Sequence, residues 1–527
     1  MKRILLGSLL LLAACSSPET YDIVIEGGRV MDPASGLDAV RDVGINGDHI
    51  AKISEEPLQG KVVLDASGDV VAPGFIDLHE HGQSPENYRA QIEDGVTTAL
   101  ELEIGVEDIA KFYDERAGGG PVNYGASISH PYLRNLAMTG ENPGLTGDAA
   151  LQPITPEQQE KLLALLEKGL EQGAAAVGFG IAYTPGMTQE ELEAAFAVAA
   201  KYNATAHVHM RTNRDSFANL DEVVTAAEKT GASLHVVHIN SSGDNRALGY
   251  LDRLQAAQDR GIDVTTECYP YNRGSTFLES HQYDDWEKFS DEYINGFTWV
   301  KTGEQLTRAT FGPYREKGGL IISPPIYSMD TVRALVAHPI PMIASDGMWI
   351  VDGRAHPRTY GTYSRVLGRY VREEKALSLM DALAKMTVRP AQRLEKRVPM
   401  MAKKGRVQEG MDADITVFNP ETVIERATYE NPAQPSDGID FVLVNGVVTL
   451  RDGTFVDGAK GGRAEARTLE IAAGGQLVER GLDLGVAALD LCRLSIEGFA
   501  NVFRGLLELP PRRRILPTSI PELPTAV

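Results

Sequence analysis

Cysteine is scarce: the chain has three in 527 residues, at positions 15, 268 and 492. That excludes a disulfide-stapled scaffold and a Cys-rich zinc site. Positive charge is also in deficit. Lys and Arg number 51 against 73 Asp and Glu, a net charge of −22. A nucleic-acid groove is excluded, because phosphate binding needs clustered Lys and Arg. The acidic balance does not itself identify a substrate. Long apolar runs are lacking outside the N-terminus, so no later segment is expected to span a membrane. With 43% hydrophobic residues the chain is neither disordered nor fibrous. Its length suggests about three domains.

The N-terminus departs from this texture. Lys2-Arg3 precedes an apolar run from Ile4 to Ala14, the layout of a signal peptide over 1–14. Leu12-Ala13-Ala14-Cys15 resembles a bacterial lipobox. The resemblance implies cleavage before Cys15, a lipid on Cys15 and a tether over 15–20. Ser16 in the next position resembles an outer-membrane address. The expectation is a lipid-anchored bacterial lipoprotein facing the periplasm, held to the membrane by lipid alone.

Short strands mark both flanks. Tyr21–Gly28 alternates and ends in glycines, and Val43–Ile45 and Val62–Leu64 follow. The same texture returns at Asp414–Phe418 and Phe441–Val448. Residues 21–72 and 400–465 are therefore read as one small β-sandwich domain built from both chain ends. Between them apolar runs alternate with helical patterns. The runs are Gly74–His81, Thr97–Glu103, Val122–Ser129, Ala175–Ile181, Ala204–Met210, Ser233–Ile239, Ile262–Tyr271 and Pro341–Asp346. Pro156–Gln172 is the clearest helix, with leucines on one face and Gly173 as a stop. Eight strands alternating with helices over 73–399 predict an α/β fold, a (β/α)8 TIM barrel. One stretch, 275–319, breaks the rhythm with aromatic residues among many charges, and reads either as a lid or as a surface excursion. The tail, 466–527, reads as a helical extension.

Histidine is unevenly spread. Six of 11 stand at three putative strand ends: His79 and His81, His207 and His209, His235 and His238. The C-terminal ends of barrel strands carry active sites, and an i, i+2 pair on a strand shares a face. Imidazoles converging there predict zinc. Two more strands bring acids: Glu101 and Glu103 in one, Asp346 in the last. Carboxylates inside a barrel are costly to bury without a partner, and a metal supplies one. An Asp in that position can ligate and also move a proton.

Asp22–Gly28, Pro73–His81, Ser345-Asp346-Gly347 and Gly410–Ile415 together resemble the amidohydrolase superfamily. Gly178–Gly186, His209-Met210-Arg211, Tyr269-Pro270-Tyr271, His356-Pro357-Arg358 and His130–Arg134 resemble its N-acyl-D-amino-acid deacylase (D-aminoacylase) branch. The resemblance, which covers about 21–465, implies that His79 and His81 bind one metal and His209 and His238 a second. It implies that Asp346 is the proton shuttle and a possible ligand, and that Tyr271 and Arg358 hold a substrate carboxylate. His207 and His130 are placed around the metals. The branch usually has a Cys ligand at the end of strand two. Here Glu103, then Glu101, is the substitute, leaving one or two ions, with Zn2+ expected and Mn or Fe as alternatives. The implied reaction is metal-assisted hydrolysis of an N-acyl amino acid or a dipeptide, a small molecule carrying a carboxylate. A cyclic amidase or deaminase of the same superfamily, or a non-enzymatic ligand-binding lipoprotein, remains open.

Overall fold

The computed structural model describes residues 19–212 and 216–466, with short strands at Leu469–Ile471 and Leu477–Glu479. Cys15 and most of the tail lie outside the described residues. The two described tail segments are strands where helix was expected.

Eight parallel strands form the barrel. They are β1 (Phe75–Asp77), β2 (Val96–Val106), β3 (Asn123–Ser129), β4 (Ala176–Gly180), β5 (Thr205–His209), β6 (Ser233–Val236), β7 (Val264–Cys268) and β8 (Met342–Ile343). Each pairs with the next in chain order. Closure from β8 to β1 comes just past the strand ends. There the His81 amide donates to the Gly347 carbonyl at 2.8 Å, and the Ser345 amide donates to Asp77 Oδ1 at 3.1 Å. Gly347 permits this approach: a Cβ there would stand 1.9 Å from Glu80 Oε2. Strands such as β2, β3 and β4 are buried almost throughout, as expected where helices cover the outside and side chains fill the inside.

The helices follow local rules. Pro156–Glu171 starts with Thr155 and Gln158 in a capping box and Pro at its first turn, then buries Leu162, Leu166 and Leu170 at helical spacing. Those leucines join Phe179, Phe196 and Leu254 in the apolar layer between barrel and helices.

The flanks pair as expected, where Ile415–Phe418 lies antiparallel to Val70–Pro73. They form one continuous nine-stranded sheet rather than two hydrogen-bonded sheets. The long strand Thr20–Asp32 explains this. The glycines at 27 and 28 do not end it: they form a bulge, with Gly27 at φ +70°, and the strand runs on through it. It thereby pairs with Gln59–Asp65 before the bulge and Val70–Pro73 after it. The curled sheet closes over Ile25, Val43, Ile45, Ile415 and Leu443.

The insertion after β7 is a subdomain. Ser275–Phe277, Thr298–Trp299, Glu304–Gln305 and Leu320–Ile322 make a four-stranded sheet. Tyr283, Phe297, Trp299, Phe311 and Ile321 form its own core, which accounts for much of its aromatic content. Other members, Phe277 and Tyr293 among them, face the barrel mouth, so it covers the site as a lid.

Candidate metal centre

His79 and His81 lie just past β1, where the ladder has ended and the chain crosses the mouth between β2 and β8. Their Nε2 atoms are 3.2 Å apart, and each is 3.0 Å from Glu103 Oε2. The other oxygen of Glu103 is 2.5 Å from His209 Nδ1 and 3.1 Å from His238 Nε2. Those two nitrogens are themselves 3.1 Å apart. Glu103 thus stands between two pairs of imidazoles. Asp346 Oδ1 completes the group, 3.5 Å from His79 Nε2, 3.6 Å from His81 Nε2 and 2.8 Å from Arg358 Nη2.

The backbone is unusual at two of these positions. Asp346 has φ +51° and His238 φ +31°. Left-handed conformations at non-glycine residues cost on the order of 1 kcal/mol or more and persist where surroundings impose them. Both residues sit where a strand has just ended, and the turn aims each side chain across the mouth.

The donor set fits a divalent cation. Two nitrogen ligands at about 2.0–2.1 Å in a tetrahedral shell stand about 3.3 Å apart, close to both imidazole pairs. The charge balance agrees. Glu101, Glu103, Glu267 and Asp346 are all buried around the histidines, and Arg358 pairs with one of them, Asp346. Burial opposes charge on His79, but Asp346, Glu103 and Glu267 outweigh it and hold the ring well above its usual pKa. Burial likewise opposes charge on His81, and Glu101 leads the carboxylates that raise it. Burial also opposes charge on Glu103 and Asp346. His79 and His209 nevertheless hold Glu103 well below the carboxylate range, and Arg358 and His79 hold Asp346 low. Such an excess of negative charge is what a divalent ion neutralises.

Four expected positions fall elsewhere. Glu101 does not reach the cluster with Glu103. Its Oε2 accepts from His81 Nδ1 at 2.7 Å, and its Oε1 accepts the Ile104 and Gly105 amides. The β2–β3 register shifts after Glu101, so the shared face expected of i and i+2 is lost. Tyr271 turns away from the cavity, its hydroxyl donating to the Gly361 carbonyl at 3.3 Å. Tyr269 lines the cavity instead. β7 ends at Cys268, so strand alternation no longer predicts direction there. His207 lies inside the barrel, beside His235 at 4.7 Å between ring centroids, and burial pushes its pKa well down. His130 packs on Phe179 between barrel and helices, near Glu191 and Arg134.

One residue was missed. Glu267 on β7 accepts from His79 Nδ1 at 2.6 Å and from His235 Nε2 at 3.0 Å. The signal was a carboxylate one residue from the end of an apolar barrel strand, the same signal that drew attention to strand two.

Above the cluster opens a cavity of about 610 Å³. His81, Glu103, His209, His238, Asp346 and Arg358 all line it. Tyr132, Tyr183, Phe277 and Trp349 supply aromatic wall. Arg358 is fully buried, lies over the Tyr269 ring at 4.6 Å, and has two nitrogens, Nε and Nη1, without a hydrogen-bond partner.

Comparison with known proteins places these features in context. Residues 62–450 match the amidohydrolase family. The N-acyl-D-glutamate deacylase of Alcaligenes xylosoxydans xylosoxydans is 34% identical over 483 residues, covering 81% of this chain and 93% of that protein. The D-aminoacylase of the same organism is 29% identical over 502 residues, covering 86% and 99%. Among solved structures, N-acyl-D-glutamate deacylase from Bordetella bronchiseptica superposes with a TM-score of 0.73 at 26% identity, covering 85% of this chain and all of that one. That structure holds zinc and a phosphonate inhibitor that mimics the tetrahedral intermediate of its reaction.

Proposed function

The chain belongs to the amidohydrolase family, and on that premise we propose that it is a metal-dependent hydrolase of N-acyl amino acids, with the D-configured ones as its substrates. The observation that carries this reading is Arg358. A buried guanidinium with two spare donors sits beside Asp346, next to a cluster built for a cation. That pairing suits a substrate whose scissile amide neighbours a carboxylate.

His79, His81, Glu103, His209, His238 and Asp346 would hold the ion or ions. We take zinc as the ion, because imidazole and carboxylate donors at these separations suit it. A divalent ion bound there supplies Lewis acidity and lowers the pKa of water to about 7. The protein's own groups do the rest. Arg358 offers a fork of N–H donors that fits a carboxylate, and Tyr269 beneath it holds the guanidinium plane. Asp346 takes a proton from attacking water and returns it to the leaving nitrogen. Arg358 keeps that carboxylate ionised and ready to accept. The aromatic wall excludes bulk water, and the 3.0 Å hydrogen bond between Tyr183 and Thr276 ties the lid to the end of β4.

The test is a substrate panel of N-acyl-D-amino acids, N-acyl-L-amino acids, dipeptides, cyclic amides and a carboxamide analogue that lacks the carboxylate. Turnover is expected to be highest on the N-acyl-D-amino acids and lost on chelation. In Arg358→Lys, kcat/KM is expected to fall about 10²-fold on the carboxylate substrates, the scale of one charged hydrogen bond, and to change little on the carboxamide. Preference for a cyclic amide with no effect of Arg358→Lys would establish the cyclic amidase reading instead.

We further infer that Cys15 carries a lipid that tethers the enzyme to the outer membrane, facing the periplasm. The lipobox-like Leu12-Ala13-Ala14-Cys15 and the Ser16 that follows support it. Cys15→Ser is expected to move the protein from the membrane fraction to the soluble fraction. An unchanged distribution sinks the anchor.

A further inference from the structure

Beneath the cluster lie two buried carboxylates that the proposed reaction does not use, Glu267 and Glu101. We propose that they are positioning residues, each holding one imidazole of the His79-Glu80-His81 pair in the tautomer that presents a bare Nε2 to the cation. The proposal rests on the reading of the cluster as a cation site.

The geometry is the same on both sides. His79 Nδ1 is 2.6 Å from Glu267 Oε1, and His81 Nδ1 is 2.7 Å from Glu101 Oε2. An ionised carboxylate only accepts, so each Nδ1 carries the hydrogen. In a neutral ring Nε2 is then left with a lone pair. The two lone pairs point at one place, since the Nε2 atoms are 3.2 Å apart. With the other tautomer, two N–H groups would face each other and no cation could bind.

Neither carboxylate is free to turn. Glu267 Oε2 accepts from His235 Nε2 at 3.0 Å, and His235 Nδ1 lies 2.8 Å from Thr265 Oγ1. Glu101 Oε1 accepts the backbone amides of Ile104 at 3.2 Å and Gly105 at 3.1 Å. Gly105 adopts φ +75° to aim its amide, where a Cβ would meet Ser127 Oγ at 2.4 Å. So one imidazole is secured through a second histidine inside the barrel, and the other through the main chain of β2. Outer partners of this kind fix ring orientation and raise ligand basicity, and their loss typically weakens metal binding about 10–100-fold.

Glu→Gln tests this without changing volume. In Glu101→Gln the amides of Ile104 and Gly105 keep the one remaining oxygen, so an N–H faces His81 Nδ1 and favours the tautomer that cannot bind. In Glu267→Gln one oxygen must serve both His79 and His235, and the charge that secures the Nδ1–H tautomer is gone. The Kd for Zn2+ is measured by competition with a chromophoric chelator, on the full chain, with no substrate present. Glu267→Gln and Glu101→Gln are each expected to raise it about 10–100-fold. Thermal midpoints of the ion-stripped variants are expected not to fall below that of the ion-stripped parent. Loss of a negative charge would also weaken binding from a distance, so the cycle with His79→Ala decides between the two effects. If Glu267 acts through His79, Glu267→Gln adds no further loss in the His79→Ala background. An equal loss there, or an unchanged Kd in the single variants, overturns the proposal. Should Glu267→Gln not fold, Glu101→Gln with His81→Ala provides the same cycle independently. A parent protein that binds no Zn2+ would sink the cation site itself, an outcome separate from normal binding in parent and variants alike.

Discussion

Asp346→Asn is expected to lower kcat roughly 10³-fold, within the range of a lost general acid–base group, while elemental analysis still finds the divalent ion. Asn is nearly isosteric with Asp and tolerates the left-handed backbone at φ +51° that this position requires. The fold should therefore survive, whereas Ala would add backbone strain. What disappears is the charge. Asp346 Oδ1 lies 3.5 Å from His79 Nε2 and 3.6 Å from His81 Nε2, and it is held ionised by Arg358 at 2.8 Å. An amide in its place can neither take a proton from water nor deliver one to the leaving nitrogen. The ion keeps its imidazoles and Glu103. Wild-type turnover in Asp346→Asn would remove Asp346 from the proton pathway. Loss of the ion together with activity would make it a ligand first.

Glu103→Gln is expected to cost more than activity. It should reduce the number of ions bound per chain, and lower kcat/KM beyond the roughly 10²-fold typical of losing a group that only supports a ligand. Glu103 is the one carboxylate among the described residues whose two oxygens face two different histidine pairs, at 3.0 Å on one side and at 2.5 and 3.1 Å on the other. A glutamine has a single oxygen and can serve only one side. Its amide hydrogens would face ring nitrogens on the other. Glu101→Gln is the matched control, two residues away on the same strand. Its carboxylate faces His81 Nδ1 and two backbone amides, so that variant should keep the ion count at saturating metal and show only weaker binding. Wild-type stoichiometry in Glu103→Gln would refute the bridging role.

Much of this arrangement was legible before the fold was seen. The βα alternation over 73–399, the pairing of the two flanks and the gathering of His79, His81, His209 and His238 all follow from local chemistry. Periodicity marks strands and helices, and a barrel places every strand end at one mouth. The aromatic insertion could be placed after the seventh strand, but its aromatics alone did not distinguish a packing core from a cavity wall. Tyr283 belongs to both.

The choices between near neighbours were not legible. Glu103 against Glu101, and Tyr269 against Tyr271, each separate residues of the same type two positions apart. Alternation assigns such pairs to one face only while the ladder stays regular. The register shift after Glu101 and the end of β7 at Cys268 break it. The positive φ of Asp346 and His238 likewise redirects side chains just beyond the strands. Glu267 illustrates a second limit. Its partner His235 stands on the neighbouring strand β6, but His79 is 188 residues away, and only closure of the barrel brings it within 2.6 Å. The family, the barrel and the kinds of groups at its mouth are thus readable from residue type and spacing along single strands. Which carboxylate stands between the histidine pairs, which ones orient and which tyrosine lines the cavity follow only from the folded chain, because those roles depend on irregular backbone at strand ends and on contacts between strands far apart in the chain.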